Sequence, residues 1–433
     1  MSIPLDRLYY YIENIAEEIY GSPVIIYRFF PHGSKKLEHL EPLKYRPWNE
    51  TVQSLRIHCN DQEPLTFDFY KNYQPKFNDI HGDKYGNIIK TLPITHTRKH
   101  FKNEDIYDQS FVLHSEKRSK NLKTYQQNQH ITVYYWAHAL LAMDWFRYAN
   151  YVCFKKESKK IFLVYNRAWT GTREYRLKFA DLLIDNNLVD KCQISVGFTD
   201  NGIHYKQAEF IKPQWRPQHQ LEQYFKLNNT SSDSSADFTI EDYENTAIEI
   251  VLETLFDDDR LHLTEKSLRP IACGQPFILA ATHGSLEYLR SYGFKTFDGI
   301  IDESYDLIED PLKRLQAIIY SMNQIAAWSK EEQHYKLMQM QQIADYNRQY
   351  FFSDEFFNLI IKELTENLIN AFSEFDSIKS CNNWINLWDQ LLLQPAIIDF
   401  LENNNEWGPT RKQIDIIYQI AKNMSNNGHL IQR

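Results

Sequence analysis

The segment TEKSLRPIACGQPFILAATHGS (residues 264–285) carries three charged side chains close to its start. If it begins a helix, Glu265, Lys266 and Arg269 fall within a wedge of about 100°, because each residue turns by about 100°. Thr264 can cap this helix through its hydroxyl group. Two cations at the positive end of a helix dipole are unfavourable, by about 0.3–1 kcal/mol each at exposed sites. An anionic ligand bound beside them would remove that conflict.

A second group of cations occupies an equivalent position earlier in the chain. IFLVYNRAWTGTREYR (residues 161–176) predicts a strand, a loop and a helix beginning near Thr172. Arg167 lies in the loop, and Arg173 and Arg176 lie in the first turns of that helix. Any one of these arginines is most simply explained by pairing with a surface carboxylate. Because both groups break the same local rule, the set predicts a diphosphate site.

The first group is followed by a strand and a second helix start. Pro270 and Gly274 predict a short helix, and PFILAA (276–281) lacks polar alternation, as expected of a strand covered on both faces. Gly284 and Ser285 come next, with Ser285 in position to cap the following helix. Since α/β proteins bind ligands at the carboxyl edge of the sheet, we add Gly284 and Ser285 to the predicted phosphate site.

Strands alternate with helical stretches up to about residue 310, which is typical of parallel α/β sheets. Helices are predicted over residues 4–20 and 137–149. Strands are predicted over residues 24–30, 54–59, 111–114, 131–135, 161–165, 192–198 and 276–281. The Ser-rich segment 227–239 predicts a surface loop or disorder, and the remainder is helical and acidic. We therefore predict two α/β domains with a cleft between them, over residues 1–155 and 156–310, and a helical extension over 311–433.

The composition is that of an ordered protein in a reducing compartment. The chain has 433 residues, of which 43% are hydrophobic and 24% charged. Its five cysteines are scattered without a CxxC pair, which argues against a zinc site or a disulfide scaffold. The N-terminus lacks a signal-peptide pattern, and no apolar run reaches the roughly 18 residues of a membrane helix. We expect a soluble, cytoplasmic protein with no membrane contact.

The net charge of −9 conceals an asymmetry along the chain. Residues 1–230 contain 32 Lys and Arg against 25 Asp and Glu, whereas residues 231–433 contain 16 against 32. A basic half can face a polyanion such as nucleic acid. Alternatively, the acidic half is a solubilising helical region, and both interpretations stay open.

Several of these segments resemble a known family. TEKSLRPIACGQPFIL resembles the donor-binding segment of GT-B glycosyltransferases of the α1,3-fucosyltransferase type, which have a Glu-Lys helix start and a Gly–Pro turn into a strand. The longer run 263–306 is more similar to glycosyltransferase-like proteins of tailed phages and large viruses. CNDQEPL, LHSE and YNRAWTGTREYR also resemble segments of that group. The likeness covers roughly residues 54–320.

The resemblance implies a GT-B-like fold, with two Rossmann-like domains and the nucleotide sugar held mainly by the second. Glu265 would bind ribose or sugar hydroxyls, while Lys266 and Arg167 would neutralise the diphosphate, assisted by Arg173 or Arg176. It implies inversion. We expect no metal and no further cofactor, and we favour a UDP-sugar over a GDP-sugar. A C-terminal helix of such enzymes braces the first domain, a role that we predict for part of the extension; a partner or oligomer surface is the alternative. The Ser-rich insertion and the long extension depart from the family.

A glycosyltransferase needs a base to accept the proton of the acceptor hydroxyl. Asp61 and Glu63, just after a predicted strand, are the candidates, and an Asx turn closed by Pro64 is the structural alternative. His114 and Glu116 are further candidates on the acceptor side, with Glu116 as the reserve base. The acidic triplet 257–259 is interpreted as a loop or helix end, because a diphosphate held by Arg and Lys needs no metal.

The sequence therefore predicts a glycosyltransferase that moves a sugar from a nucleotide sugar to an acceptor hydroxyl. We favour a hydroxymethylated base of double-stranded phage DNA as the acceptor, since the basic half suits a polyanion and aromatic residues can receive a flipped base. A glycan or lipid-linked sugar is the alternative acceptor. A non-catalytic structural or binding protein on the same fold is a further alternative. If viral, the protein would act in the host cytoplasm.

Overall fold

The structure is a computed structural model that describes residues 5–20, 24–30, 55–61, 110–127, 133–137, 146, 149–227 and 236–373. The chain divides into two compact units. The N-terminal unit comprises residues 4–138 and 358–433, and the central unit comprises residues 1–3 and 139–357. Much of the predicted helical extension, residues 311–357, thus belongs with the second sheet.

The N-terminal unit is built on a parallel sheet. Its described elements are α1 (Leu5–Tyr20), β1 (Val24–Phe30), β2 (Leu55–Asn60), β3 (Ser110–His114), α2 (Lys120–Gln127) and β4 (Val133–Tyr135). The four strands follow the order β1-β2-β3-β4, and every neighbouring pair is parallel. The residues that follow β2 and β3 therefore lie side by side at the carboxyl edge of this sheet.

The central unit contains a second parallel sheet and most of the described helices. Its described elements are β5 (Lys160–Asn166), α3 (Tyr175–Asp185), β6 (Cys192–Val196), β7 (Thr199–Asp200), β8 (Ile203–His204), β9 (Lys226–Leu227), α4 (Ile240–Asn245), β10 (Thr246–Leu252), α5 (Glu265–Cys273), β11 (Phe277–Ala280), α6 (Ser285–Ser291), α7 (Pro311–Ala326), α8 (Lys330–Phe351) and the start of α9 (Asp354–Ser373). The mixed α/β class predicted from the sequence is confirmed. In the described part of the chain, none of the helices combines the length and apolar character needed to cross a membrane.

The central sheet has the topology of a doubly wound domain. Its five strands follow the order β11-β10-β5-β6-β9, and all neighbouring pairs are parallel. Numbered by their appearance in this sheet, the strands run 3-2-1-4-5 from β9 to β11, as in Rossmann-type folds. The winding reverses between β5 and β10, where Val164 lies opposite Ile250. Ligands of such sheets bind at the carboxyl ends of the two strands that flank this switch point.

Strand β10 was missing from the sequence-based prediction. All seven of its residues are buried, including Glu249. Acidic residues interrupt the apolar run TAIEIVLE, so the segment lacks the pattern of a buried strand. Glu249 is tolerated there because a buried arginine neutralises it.

The helix predicted from residue 264 is confirmed. The Thr264 hydroxyl accepts a hydrogen bond from Lys266 N, Pro270 lies inside α5, and Gly274 ends it with a φ of +64°. The left-handed conformation at Gly274 is one that glycine adopts without strain.

The helix predicted near Thr172 begins later than expected. A 3-10 turn (Gly171–Arg173) comes first, and α3 follows from Tyr175. The Asp200 carboxylate accepts hydrogen bonds from the amides of Trp169 and Thr170 and so holds the preceding loop in place. The start of the α-helix is therefore displaced towards Tyr175.

Residues 358–373 of α9 contact the end of the N-terminal sheet within the N-terminal unit. Trp136 Nε1 donates to the Ile360 carbonyl at 3.0 Å, and Asn367 Nδ2 donates to the Tyr135 carbonyl at 2.7 Å. Residues 311–373 are helical, as the sequence indicates. The segment 408–424 and most of the Ser-rich insertion lie outside the described residues.

Candidate functional site

Cations from both predicted groups meet in one cavity of the central unit. The cavity and the solvent space that it opens into have a volume of about 380 Å³. The cavity is lined by Tyr165, Arg167, Ala168, Arg173, Arg176, Leu252, Lys266 and Arg269. Tyr165 lies in β5, four of these residues follow that strand, Leu252 ends β10, and the last two come from α5. The pocket therefore lies at the switch point, and five of its eight side chains are cationic.

Arg173 is a half-buried cation of this pocket. Its Nε donates to the Thr170 carbonyl at 3.1 Å, and its Nη2 lies 3.4 Å from the Thr170 hydroxyl. It forms no ion pair with any carboxylate among the described residues. Burial, followed by the charge of Arg176, lowers the pKa of Arg173. This guanidinium would gain from an anionic ligand.

Arg176 supports the wall of the pocket, whereas the sequence predicted that it assists in neutralising a diphosphate. Its side chain is 2% exposed. Nη1 donates to the Ala168 carbonyl at 2.6 Å, and Nη2 donates to the carbonyls of Leu252 and Glu253 at 2.6 and 3.1 Å. Its buried Nε has no hydrogen-bond partner among the described residues. Arg176 thus connects the end of β10 to the loop after β5 through hydrogen bonds.

Arg269 is neutralised by a buried carboxylate, which also differs from the prediction. Its Nη2 and Nε approach Glu249 Oε1 at 2.5 and 3.2 Å. The Arg269 side chain is 3% exposed and that of Glu249 is fully buried. Burial lowers the pKa of Arg269, but Glu249 outweighs this effect and the net shift is upward. The Tyr243 hydroxyl donates to the other oxygen of Glu249.

Lys266 and Glu265 pair with each other at the start of α5. Lys266 Nζ lies 2.5 Å from Glu265 Oε1 and 3.3 Å from the Thr264 hydroxyl. Lys266 lines the pocket, and Glu265 is 8% exposed. The ammonium group therefore reaches the pocket with a carboxylate already beside it.

Glu253 caps α5 and was not found from the sequence. Its fully buried carboxylate accepts from Thr264 N and Oγ1 at 2.9 and 2.8 Å, and from Ser267 N and Oγ at 3.3 and 2.6 Å. A carboxylate at a helix N-terminus is favoured by the dipole. The protein itself thus supplies much of the negative charge that the sequence analysis assigned to a ligand. In the sequence, the position of Glu253 directly after an apolar run could have indicated that it lies at the carboxyl end of a buried strand.

Gly284 and Ser285 do not offer free amides to a phosphate, contrary to the prediction. Gly284 is the N-cap of α6 and its amide donates to the Asp306 carbonyl at 2.8 Å, while the Ser285 hydroxyl donates to the Thr282 carbonyl. The amide of Leu286 donates to both carboxylate oxygens of Asp306, at 3.1 Å each. The side chain of Asp306 therefore occupies the position predicted for the ligand.

Arg167 contacts one backbone carbonyl and one aromatic ring. Its Nη2 donates to the Asp237 carbonyl at 2.7 Å, and its Cζ lies 4.8 Å from the centre of the Tyr165 ring. Burial and the nearby charge of Arg269 lower the pKa of Arg167. An added Cβ at Gly197 would lie 2.5 Å from the Arg167 carbonyl oxygen, so only glycine permits this approach.

Asp61 has a structural position in the N-terminal unit. Its carboxylate is buried, with 3% of the residue exposed, and accepts from Ser115 N at 2.6 Å and Ser115 Oγ at 2.7 Å. His114 is also buried, and its Nδ1 accepts from Glu116 N at 3.1 Å. Asp61 thus joins the loops after β2 and β3, and its buried, hydrogen-bonded carboxylate differs from the free base that the sequence predicted. Glu116 is half-buried, and Glu63 lies outside the described residues.

Acidic groups elsewhere in the central unit are engaged by the protein. Asp257 accepts from Trp215 Nε1 at 2.8 Å and pairs with Lys212 at 2.6 Å, which agrees with its interpretation as a loop residue. Among the described residues, Asp181, Asp185 and His219 lie close enough together to hold a metal ion. Asp181 already accepts the amide of His219 at 2.8 Å and pairs with a lysine. The Asp181 carboxylate is therefore engaged by the protein.

Comparison of the chain with protein-family models, with curated proteins and with solved structures found no significant match.

Proposed function

We propose that the protein is a glycosyltransferase whose central unit binds the diphosphate of a nucleotide sugar. The observation that supports this proposal most strongly is the convergence of five cations on one open cavity at the switch point of a parallel sheet. Doubly wound sheets bind nucleotides at this position. The reaction class rests on the likeness of residues 263–306 to glycosyltransferase segments.

The pocket contains cations of two kinds. Lys266 and Arg269 are paired with carboxylates, so they contribute hydrogen-bond donors more than net charge. Arg167 and Arg173 have lowered pKa values because they are buried beside other cations. Charge-assisted bonds to phosphate would stabilise both guanidinium groups. A dianionic group is thus a better ligand for this cavity than a neutral one.

In the proposed reaction the acceptor oxygen attacks the anomeric carbon. The bond from that carbon to the diphosphate oxygen breaks, and the diphosphate leaves with the bonding electrons. The cations stabilise the negative charge that develops on it. This single displacement inverts the configuration, and we expect it to proceed without a divalent metal because the cations fill that role. Added EDTA should leave the rate unchanged.

The acceptor proton requires a carboxylate base. Among the described residues, Glu116 is our candidate for this base, since it is half-buried and follows β3 at the carboxyl edge of the N-terminal sheet. Asp61 is the weaker candidate because both of its oxygens accept hydrogen bonds from Ser115. Glu116→Gln should lower the rate and leave donor binding unchanged.

The test combines nucleotide release with ligand binding. UDP- and GDP-sugars are incubated with the protein, with and without hydroxymethylcytosine DNA, and release of the nucleoside diphosphate is measured. Arg173→Ala is the sharpest variant, because Arg173 bonds only to Thr170 among the described residues and its loss should spare the fold. We expect its affinity for UDP or GDP to fall about 10- to 100-fold. Lys159→Ala, at an exposed position, is the matched control.

The outcomes separate the candidate functions. Release that requires both a donor and the modified DNA supports the DNA acceptor, which we favour on the charge asymmetry of the sequence. Donor-dependent release without DNA redirects the search to glycans or lipid-linked sugars. Nucleotide binding without release on any acceptor supports a non-catalytic binding protein. If no nucleoside diphosphate binds or raises the melting temperature, the proposed donor site is wrong.

A further inference from the structure

Two guanidinium groups of the pocket lie against the same aromatic ring. The Cζ atoms of Arg167 and Arg269 are 4.8 and 4.4 Å from the centre of the Tyr165 ring. All three side chains line the cavity. The face of an aromatic ring attracts a cation. Tyr165 thus offsets part of the repulsion between two like charges.

The ring itself is fixed by the N-cap and the first turn of α4. The Tyr165 hydroxyl donates to Asp242 Oδ2 at 2.8 Å, and it lies 3.4 Å from the Thr239 amide. Phenylalanine at this position would lose these bonds but keep the ring. The two contributions of Tyr165 can therefore be separated by substitution.

The two cations depend on the ring to different degrees. Arg269 is also held by its buried ion pair with Glu249. Arg167 is half-buried and donates to the backbone carbonyl of Asp237. Loss of the ring removes a contact from both guanidinium groups, while Arg269 keeps its ion pair with Glu249.

We propose that Tyr165 is a specificity-determining residue that holds Arg167 and Arg269 together, so that the pocket prefers a ligand with two adjacent phosphate groups to one with a single phosphate. The inference rests on the proposed function, since it requires a diphosphate to bind in this pocket. A monophosphate needs the cations at one end only. Loss of the ring therefore weakens diphosphate binding more than monophosphate binding.

The experiment measures the affinities of the full chain for inorganic pyrophosphate and inorganic phosphate by titration calorimetry. Tyr165→Leu removes the ring, Tyr165→Phe keeps it, and Tyr335→Leu replaces an exposed tyrosine as the matched control. We expect Tyr165→Leu to bind pyrophosphate about tenfold more weakly, while phosphate affinity changes less than about threefold. Tyr165→Phe should keep the wild-type ratio. If Tyr165→Leu lacks a cooperative unfolding transition, Tyr165→Met replaces it, because methionine fills similar space without an aromatic face.

The results distinguish this inference from the proposed function. Wild-type protein that fails to bind pyrophosphate overturns both. Wild-type protein that binds pyrophosphate, with the same ratio of affinities in Tyr165→Leu, overturns the role of Tyr165 and leaves the diphosphate site standing. An equal loss for both ligands shows that Tyr165 only supports the fold. A selective loss of pyrophosphate affinity, rescued by Phe, supports the inference.

Discussion

Replacing Glu249 by glutamine tests how the protein stabilises a buried cation at its candidate site. Glu249 is fully buried and accepts two bonds from Arg269 and one from the Tyr243 hydroxyl. Removing one partner of a buried ion pair costs about 3–5 kcal/mol. Glutamine keeps the shape and one acceptor oxygen, and a neutral hydrogen bond contributes about 0.5–1.5 kcal/mol. We therefore expect Glu249→Gln to destabilise the central unit by about 2–4 kcal/mol.

The same substitution should strengthen anion binding. Without the Glu249 charge, Arg269 adds a net positive charge to the pocket, and a ligand that binds only the folded state stabilises it by mass action. Pyrophosphate should therefore restore more stability to Glu249→Gln than to the wild type.

Hydrogen exchange of the β10 amides is the measurement, because it reports the opening free energy of this segment separately from the N-terminal unit. Glu157→Gln, at an exposed pair whose atoms lie 3.9 Å apart, is the control and should change it by less than about 0.5 kcal/mol. Unchanged exchange in β10, or equal protection by pyrophosphate in both proteins, would refute the reasoning.

Three further predictions follow from caps and close contacts. Asp306→Ala should lower the free energy of unfolding by about 0.5–2 kcal/mol, because α6 loses its cap. Its affinity for pyrophosphate, measured by calorimetry, should not change. Weaker pyrophosphate binding would indicate that the start of α6 belongs to the phosphate site. Burial raises the pKa of Asp200, but hydrogen bonds from Thr170 and Trp169 outweigh this and lower it. The stability that the Asp200 carboxylate contributes is therefore present above its unfolded pKa of about 4 and is lost as the pH falls through its folded pKa. Urea unfolding between pH 7 and pH 3 should show that the difference in unfolding free energy between the wild type and Asp200→Asn shrinks towards low pH. A difference that does not change with pH would contradict this prediction. Gly197→Ala should weaken pyrophosphate binding, because its Cβ would lie 2.5 Å from the Arg167 carbonyl oxygen; unaltered affinity would show that the loop yields without moving the guanidinium.

The sequence predicted the mixed α/β class, and it indicated that cations from two segments lie near each other. Apolar runs predicted the ends of β1, β5 and β11 with an error of no more than one residue. A strand covered on both faces is a continuous apolar run, which can be recognised from the local sequence. The sequence places cations shortly after β5 and at the start of α5. In the structure, Arg173 and Lys266 from these two segments line the same pocket. Parallel topology makes this step reliable, since strand ends meet at one edge of the sheet.

The sequence did not predict which cations are already neutralised. Arg269 pairs with Glu249, which is 20 residues away and lies in a strand that the apolar pattern missed. The amide of Leu286 bonds to Asp306, also 20 residues away. Asp61 meets Ser115 across 54 residues. A charge pattern records the type and order of residues, whereas neutralisation depends on distances of a few ångströms between groups that only tertiary packing brings together.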